Sequence, residues 1–147
     1  MTIVAVSPAA EEARALMHEL DTEIAALYPD SPISGIDEVE FERSGGYFVV
    51  AREGDRAIGC GGFRIVDERC VEIKRMFVRA GARRGGVARQ ILRHLEAEVR
   101  RRGFPSIVLE TGCNNVGARA LYEAEGYSPI HEFPGCVGIP ISRCYAK

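Results

Sequence analysis

The segment Arg79-Ala80-Gly81-Ala82-Arg83-Arg84-Gly85-Gly86-Val87-Ala88 carries the residue types that hold a phosphate. Val87, Ala88, Ile91, Leu92, Leu95 and Val99 recur at helical spacing, so a helix begins at its end. A helix N-terminus has four free backbone N–H groups and a partial positive charge. Gly85 and Gly86 let a ligand approach the backbone. Arg83, Arg84 and Arg89 add full positive charge beside those dipoles. Together they describe an anion site of the phosphate type. It is neither a Walker loop nor a Rossmann turn, because G-x-x-x-x-G-K-[ST] and G-x-G-x-x-G are both missing. The same residues also read as a glycine-softened turn with solvated arginines, and composition alone does not choose.

The elements around this turn are legible from pattern. Thr2 to Val6 reads as an edge strand, and Ser7-Pro8 as an N-cap with proline in the first helical turn. Ala13, Leu16, Met17, Leu20, Ile24 and Leu27 then make one apolar stripe. Tyr28 to Asp37, with two prolines and a glycine, reads as a loop that either contacts substrate or simply connects. Tyr47–Arg52, Ala57–Val66 and Cys70–Val78 read as an antiparallel meander. Gly59, Gly61 and Gly62 in its second strand suggest a bulge or a close backbone neighbour. After the helix that ends at Gly103, Ile107–Thr111 is a buried strand. A short helix carries Ala118, Leu121 and Tyr122 and closes at Gly126. Tyr127–Ile130 and Ile139–Tyr145 are the last strands. The order β-α-β-β-β-α-β-α-β-β defines a mixed α+β fold with a parallel crossover between 70 and 111. The length of 147 residues suits one domain, 1–147.

Three of these segments, in this order, resemble the GNAT family of GCN5-related N-acetyltransferases. Arg83-Arg84-Gly85-Gly86-Val87-Ala88 matches its [R/Q]-x-x-G-x-[G/A] turn, which in that family holds the pyrophosphate of acetyl-CoA. Glu72 to Val78 resembles the central strand. Asn115-x-x-Ala118-x-x-Leu121-Tyr122-x-x-x-Gly126-Tyr127 resembles the second cofactor motif. The resemblance covers about residues 70 to 130. Leu109-Glu110-Thr111-Gly112 and Ser142-Arg143-Cys144-Tyr145-Ala146-Lys147 look like a bacterial branch. One departure is Arg84, at a position often occupied by glycine.

The resemblance implies a GNAT-type sheet with splayed central strands and acetyl-CoA as co-substrate, without a metal. Its phosphates would lie on the N–H groups from Arg84 to Arg89, beside Arg83. Its amide-bearing pantetheine arm would pair like an added strand with Met76, Phe77 and Val78. A backbone N–H near Phe77 would bind the thioester oxygen. Tyr122 is the implied general acid for the leaving thiolate, because a phenol is protonated at neutral pH. A tyrosine that only packs helix on sheet is the other reading. Glu72 is the candidate general base for the ammonium, against a strand glutamate paired with Lys74 or Arg64. Glu110 and water are alternatives. Asn115 would cap the second helix and touch the cofactor.

Composition limits the rest. Residues 74–102 carry ten basic and two acidic side chains, +8, which leaves −10 for the rest of a chain of net −2. The acidic remainder, including Asp30, Asp37, Glu38, Glu40 and Glu42, would attract a cationic acceptor. The basic helix lacks a nucleic-acid motif, so no nucleic-acid partner is expected. No run approaches the roughly 20 apolar residues of a membrane span, and Met1 to Ala10 is not a signal peptide. An odd five cysteines with no C-x-x-C reads as reduced thiols in a cytoplasmic protein. The expected function is acetyl transfer from acetyl-CoA to an amine of a small molecule or peptide, by direct attack in a ternary complex. The alternative is a non-catalytic CoA-binding sensor or interaction module of the same fold. A homodimer is allowed by the resemblance and demanded by no residue.

Overall fold

The structure, a computed structural model, describes residues 1–30, 35–131 and 142–147. Seven strands form one sheet: β1 (Thr2–Ala5), β2 (Tyr47–Glu53), β3 (Arg56–Ile65), β4 (Cys70–Val78), β5 (Ser106–Gly112), β6 (Ser128–Ile130) and β7 (Ser142–Ala146). Their order is β1-β2-β3-β4-β5-β7-β6. The first four are antiparallel neighbours, β5 is parallel to β4, and β7 pairs antiparallel with both β5 and β6. The mixed α+β class and the edge position of β1 agree with the sequence. Of the last expected strand, Ile139–Ile141 lies outside the described residues.

Four helices accompany the sheet: α1 (Glu11–Leu27), α2 (Glu38–Arg43), α3 (Val87–Arg101) and α4 (Val116–Ala124). On one face α3 buries Val87, Ile91, Leu92, Leu95 and Val99 against Val49, Phe63, Val71, Ile73, Leu109 and Tyr145. Each such side chain contributes about 1.5–3 kcal/mol. The glycines of β3 permit this approach: a Cβ on Gly61 would lie 2.5 Å from Met76 Sδ and 3.0 Å from Ile91 Cγ2. On the other face Ala13, Leu16 and Met17 of α1 and Phe41 of α2 cover Phe48, Val50, Cys60 and Phe77.

The central strands separate halfway along. β3 and β4 stay paired as far as Gly59 and Val78. β4 and β5 pair only from Cys70/Ser106 to Ile73/Leu109. Past that point a slot opens between them. At its start the β3 register shifts between Cys60 and Gly62, so Gly61 faces both Arg75 and Met76, and Arg75 takes φ 61°. A left-handed arginine in such a bulge costs roughly 1–3 kcal/mol and needs anchoring. Arg75 Nη2 donates to Met17 O at 3.0 Å and to Asp21 Oδ1 at 2.7 Å.

Three expectations are corrected. Ser7 does not cap α1: its Oγ accepts from Ala9 N, and the helix begins at Glu11 with Ala10 as an uncapped N-cap. Pro8 therefore belongs to a preceding turn. Residues 38–43 fold as the short helix α2, capped by Asp37, whose Oδ1 accepts from Glu40 N at 3.0 Å. Finally, Cys60, Cys70 and Cys113 are free, but Cys144 is disulfide-bonded. Strand pairing, which spacing does not encode, sets where Cys144 lies. Cys136 is outside the described residues.

Candidate active site

The chain leaves β4 through a single 3-10 turn, Ala80–Ala82, and enters α3 after two left-handed residues, Arg84 (φ 70°) and Gly86 (φ 78°). Gly86 is the N-cap and offers no side-chain oxygen. Among the described residues, the N–H groups of Arg84, Gly85, Gly86, Val87, Ala88 and Arg89 donate to no protein acceptor; the first helical bond is Gln90 N to Gly86 O. The turn thus presents a run of unused donors at a positive helix end.

Its arginines are differently employed. Arg83 Nε donates to Val78 O at 2.8 Å, its Nη2 meets Glu23 at 2.6 Å, and its guanidinium lies over the Phe77 ring. Arg89 is 3.6 Å from Glu125. Arg84 is exposed and has no ion pair among the described residues. Its left-handed φ is the conformation that glycine adopts freely. Arg84→Gly should therefore raise stability by about 1 kcal/mol, seen as a melting point roughly 2–4 °C higher.

Met76, Phe77 and Val78 form the wall of the slot, beyond the last β5 partner. Met76 and Val78 belong to the α3-side core, and Phe77 to the α1-side core. Tyr122 joins the same core as Met76, Val78 and Val87. Local chemistry of α4 fixes it there. Asn115 caps the start, its Oδ1 accepting from Ala118 N at 3.2 Å. Gly126 (φ 91°) ends the helix, with Tyr127 N bonding Tyr122 O and Gly126 N bonding Glu123 O. This two-bond closure brings the residue after the glycine onto the last turn, and the Tyr122 and Tyr127 rings meet edge-on at 5.8 Å. Tyr122 is 5% exposed, and burial pushes its hydroxyl above the ordinary phenol range. No hydrogen bond from the described residues reaches that hydroxyl.

Glu72 lies on β4 before the slot, opposite Arg64 and Val108. It is 4% exposed, and its Oε1 is 2.5 Å from Arg64 Nε. The alternative base, Glu110, sits on β5 opposite Cys144, just past the last β4 pair. The turn, the slot wall and Tyr122 thus come together; Glu72 is held by its own cation.

Sequence reasoning missed Tyr28. Its hydroxyl accepts from Asn114 N at 2.9 Å, and a Cβ on Gly112 would fall 2.2 Å from that oxygen. The end of α1 is thereby tied to the β5–α4 turn. The charge reading also changes. Glu12 pairs with Arg52, Glu38 with Arg14, Glu19 with Arg79, Asp21 with Arg75 and Glu23 with Arg83. Glu19, Asp21 and Glu23 neutralise arginines of the basic segment, so part of the −10 is internal counter-charge rather than a free field for a cation. Arginines at 75, 79 and 83 repeat every four residues, which was the signal available in the sequence.

An open central slot running into a phosphate-type turn defines the class of acyl-CoA-dependent acetyltransferase folds. The acetyltransferase (GNAT) family model matches residues 12–127, and the chain belongs to this family. It is 34% identical over 129 residues to an IAA acetyltransferase of Azospirillum brasilense, covering 87% of this chain and 84% of that protein. It is 41% identical over 88 residues to the uncharacterized N-acetyltransferase YsnE of Bacillus subtilis, 58% of each chain. A putative acyl-CoA N-acyltransferase from Klebsiella pneumoniae superposes with a TM-score of 0.84 at 26% identity, covering 99% of this chain and 95% of that one. A putative acetyltransferase from Salmonella typhimurium solved with acetyl-CoA shares the fold, with a TM-score of 0.73, 19% identity and coverage of 100% and 92%. Acetyl transfer is the chemistry of this family. No helix among the described residues is long and apolar enough to cross a membrane, and no group of metal-ligating side chains is found among them.

Proposed function

We propose that residues 1–147 are one N-acetyltransferase domain that moves the acetyl group of acetyl-CoA to an amine of a small molecule or peptide. The observation that carries this reading is continuity: the β5-facing edge of β4, unpaired past Ile73, leads directly into N–H groups at the start of α3 that are unused among the described residues. The pyrophosphate lies on the N–H groups of Arg84 to Arg89. The pantetheine arm follows Met76, Phe77 and Val78, and a backbone N–H near Phe77 polarises the thioester carbonyl.

The amine attacks the carbonyl directly. The tetrahedral intermediate collapses, the C–S bond breaks, and the thiolate takes the Tyr122 proton. Cys113 is given no role as nucleophile, because no histidine stands with it among its contacts. The ion pair to Arg64 favours water over Glu72 as the route for the ammonium proton. A cytoplasmic setting, without nucleic-acid or membrane partners, is part of this reading.

The test is calorimetry with acetyl-CoA, followed by thiol release across a panel of amines. Micromolar binding together with amine-dependent thiol release is the expected result. Absence of binding would defeat the proposal, and binding without release by any amine would favour a sensor module.

A further inference from the structure

Helix α1 is fixed in two different ways along its length. Its first half is held by burial of Ala13, Leu16 and Met17, whereas Leu20 and Ile24 are half-buried and Leu27 is exposed. The second half is held by charge. At about 100° per residue, Glu19 and Glu23 share one flank of the apolar stripe and Asp21 lies on the other. Glu19 meets Arg79, Glu23 meets Arg83 and Asp21 meets Arg75. Each arginine holds a key point of the cofactor path. Arg75 sits in the bulge, Arg79 also bonds Ala57 O at 2.7 Å, and Arg83 bonds Val78 O at the mouth of the phosphate turn. Past the last pair, Tyr28 crosses to Asn114 N. The end of α1 therefore bridges the slot from β4 to the β5–α4 turn.

We propose that Glu23 and Arg83 are a positioning pair that couples the phosphate turn to the wall formed by the end of α1 and Tyr28. The inference rests on the acetyl-CoA reading above. A diphosphate on the Arg84–Arg89 amides holds the turn still. Arg83 stands one residue before those amides, and it transmits that order to Glu23 and the last turn of α1. Without the carboxylate, the turn is still held and the cofactor still binds, but the wall is not informed.

Hydrogen exchange with acetyl-CoA as the probe reads this directly. Bound acetyl-CoA is expected to slow exchange of the amides of Ile24 to Tyr28 and of Asn114 by about fivefold or more, an ordinary strength for coupling between sites. In Glu23→Gln that protection disappears, while the acetyl-CoA dissociation constant stays within about twofold of the parent. Both side chains of the pair are about half exposed, at 44% and 45%. Salt near 1 M should therefore abolish the protection in the parent, and leave the variant unchanged. Retained protection in Glu23→Gln overturns the proposal. So does a loss of acetyl-CoA affinity that parallels the loss of protection, because Glu23 would then be acting on the cofactor site itself. Failure of the parent to bind acetyl-CoA would sink the acetyltransferase reading as well, which separates the two failures.

Discussion

Replacing Tyr122 by phenylalanine should lower kcat about a hundredfold and leave both the fold and acetyl-CoA affinity intact. The size follows from losing a positioned general acid, typically worth about 10²–10⁴ in rate. The selectivity of the effect follows from packing. The Tyr122 ring meets Tyr127 at 5.8 Å and Tyr145 at 6.4 Å, and phenylalanine keeps both contacts. The hydroxyl has no protein partner to lose among the described residues, so the melting point should move by less than about 2 °C. Burial raises its pKa, so the phenol stays protonated well above pH 7. The rate of the parent should therefore not fall near pH 10, where an ordinary phenol would ionise. Steady-state kinetics from pH 6 to 10.5, with calorimetry on the variant, checks each part. An unchanged kcat would assign Tyr122 a packing role alone.

The second large effect concerns stability. Glu96 is 4% exposed on α3, and it accepts from Tyr127 O–H at 2.8 Å and from Lys147 Nζ at 3.0 Å. The same ammonium caps α4 through Glu125 O at 2.8 Å and lies over the Tyr127 ring. Lys147→Met would leave a buried carboxylate with one neutral donor. Losing a partner from a buried pair costs about 3–5 kcal/mol; with the Lys147 side chain partly exposed, about 2–3 kcal/mol is expected. The melting temperature should fall by roughly 4–12 °C. Adding Glu96→Gln should recover part of that loss, because glutamine still accepts from Tyr127 and carries no charge. A double variant no more stable than Lys147→Met would show that the uncompensated charge is not the cause.

Elements decided by a single interaction range were legible in the sequence. The stripe of α3, the termini of α3 and α4, and strand β4 follow from short-range periodicity and glycine chemistry. The phosphate turn was legible because free amides at a helix start need only local residues. Failure set in with distance. Arg75, Arg79 and Arg83 find their acids 54 to 60 residues earlier, so the acidic remainder looked like a field for a cationic acceptor when part of it is neutralised inside the molecule. Helix α2 was read through because only Phe41 of its six residues is buried. Tyr28 looked like part of a loop, and its bond to Asn114 spans 86 residues. Glu72 was placed on the right strand, but its bond to Arg64 across the meander lowers its standing as a base.

The bulge at Arg75 also sorts side chains between the two faces. Before it, odd-numbered residues of β4, Val71 and Ile73, face α3; after it, the even-numbered Met76 and Val78 do. A regular strand would have kept the odd series, aiming Arg75 and Phe77 at α3 and Met76 at α1. One supernumerary residue thus reverses the inside-outside alternation midway along the strand. It sends a guanidinium toward Asp21 that would otherwise be interred among Ile91 and Leu95. A one-residue deletion there would restore a regular ladder and keep Met76 and Val78 on the α3 face, but it would remove the guanidinium that reaches Asp21.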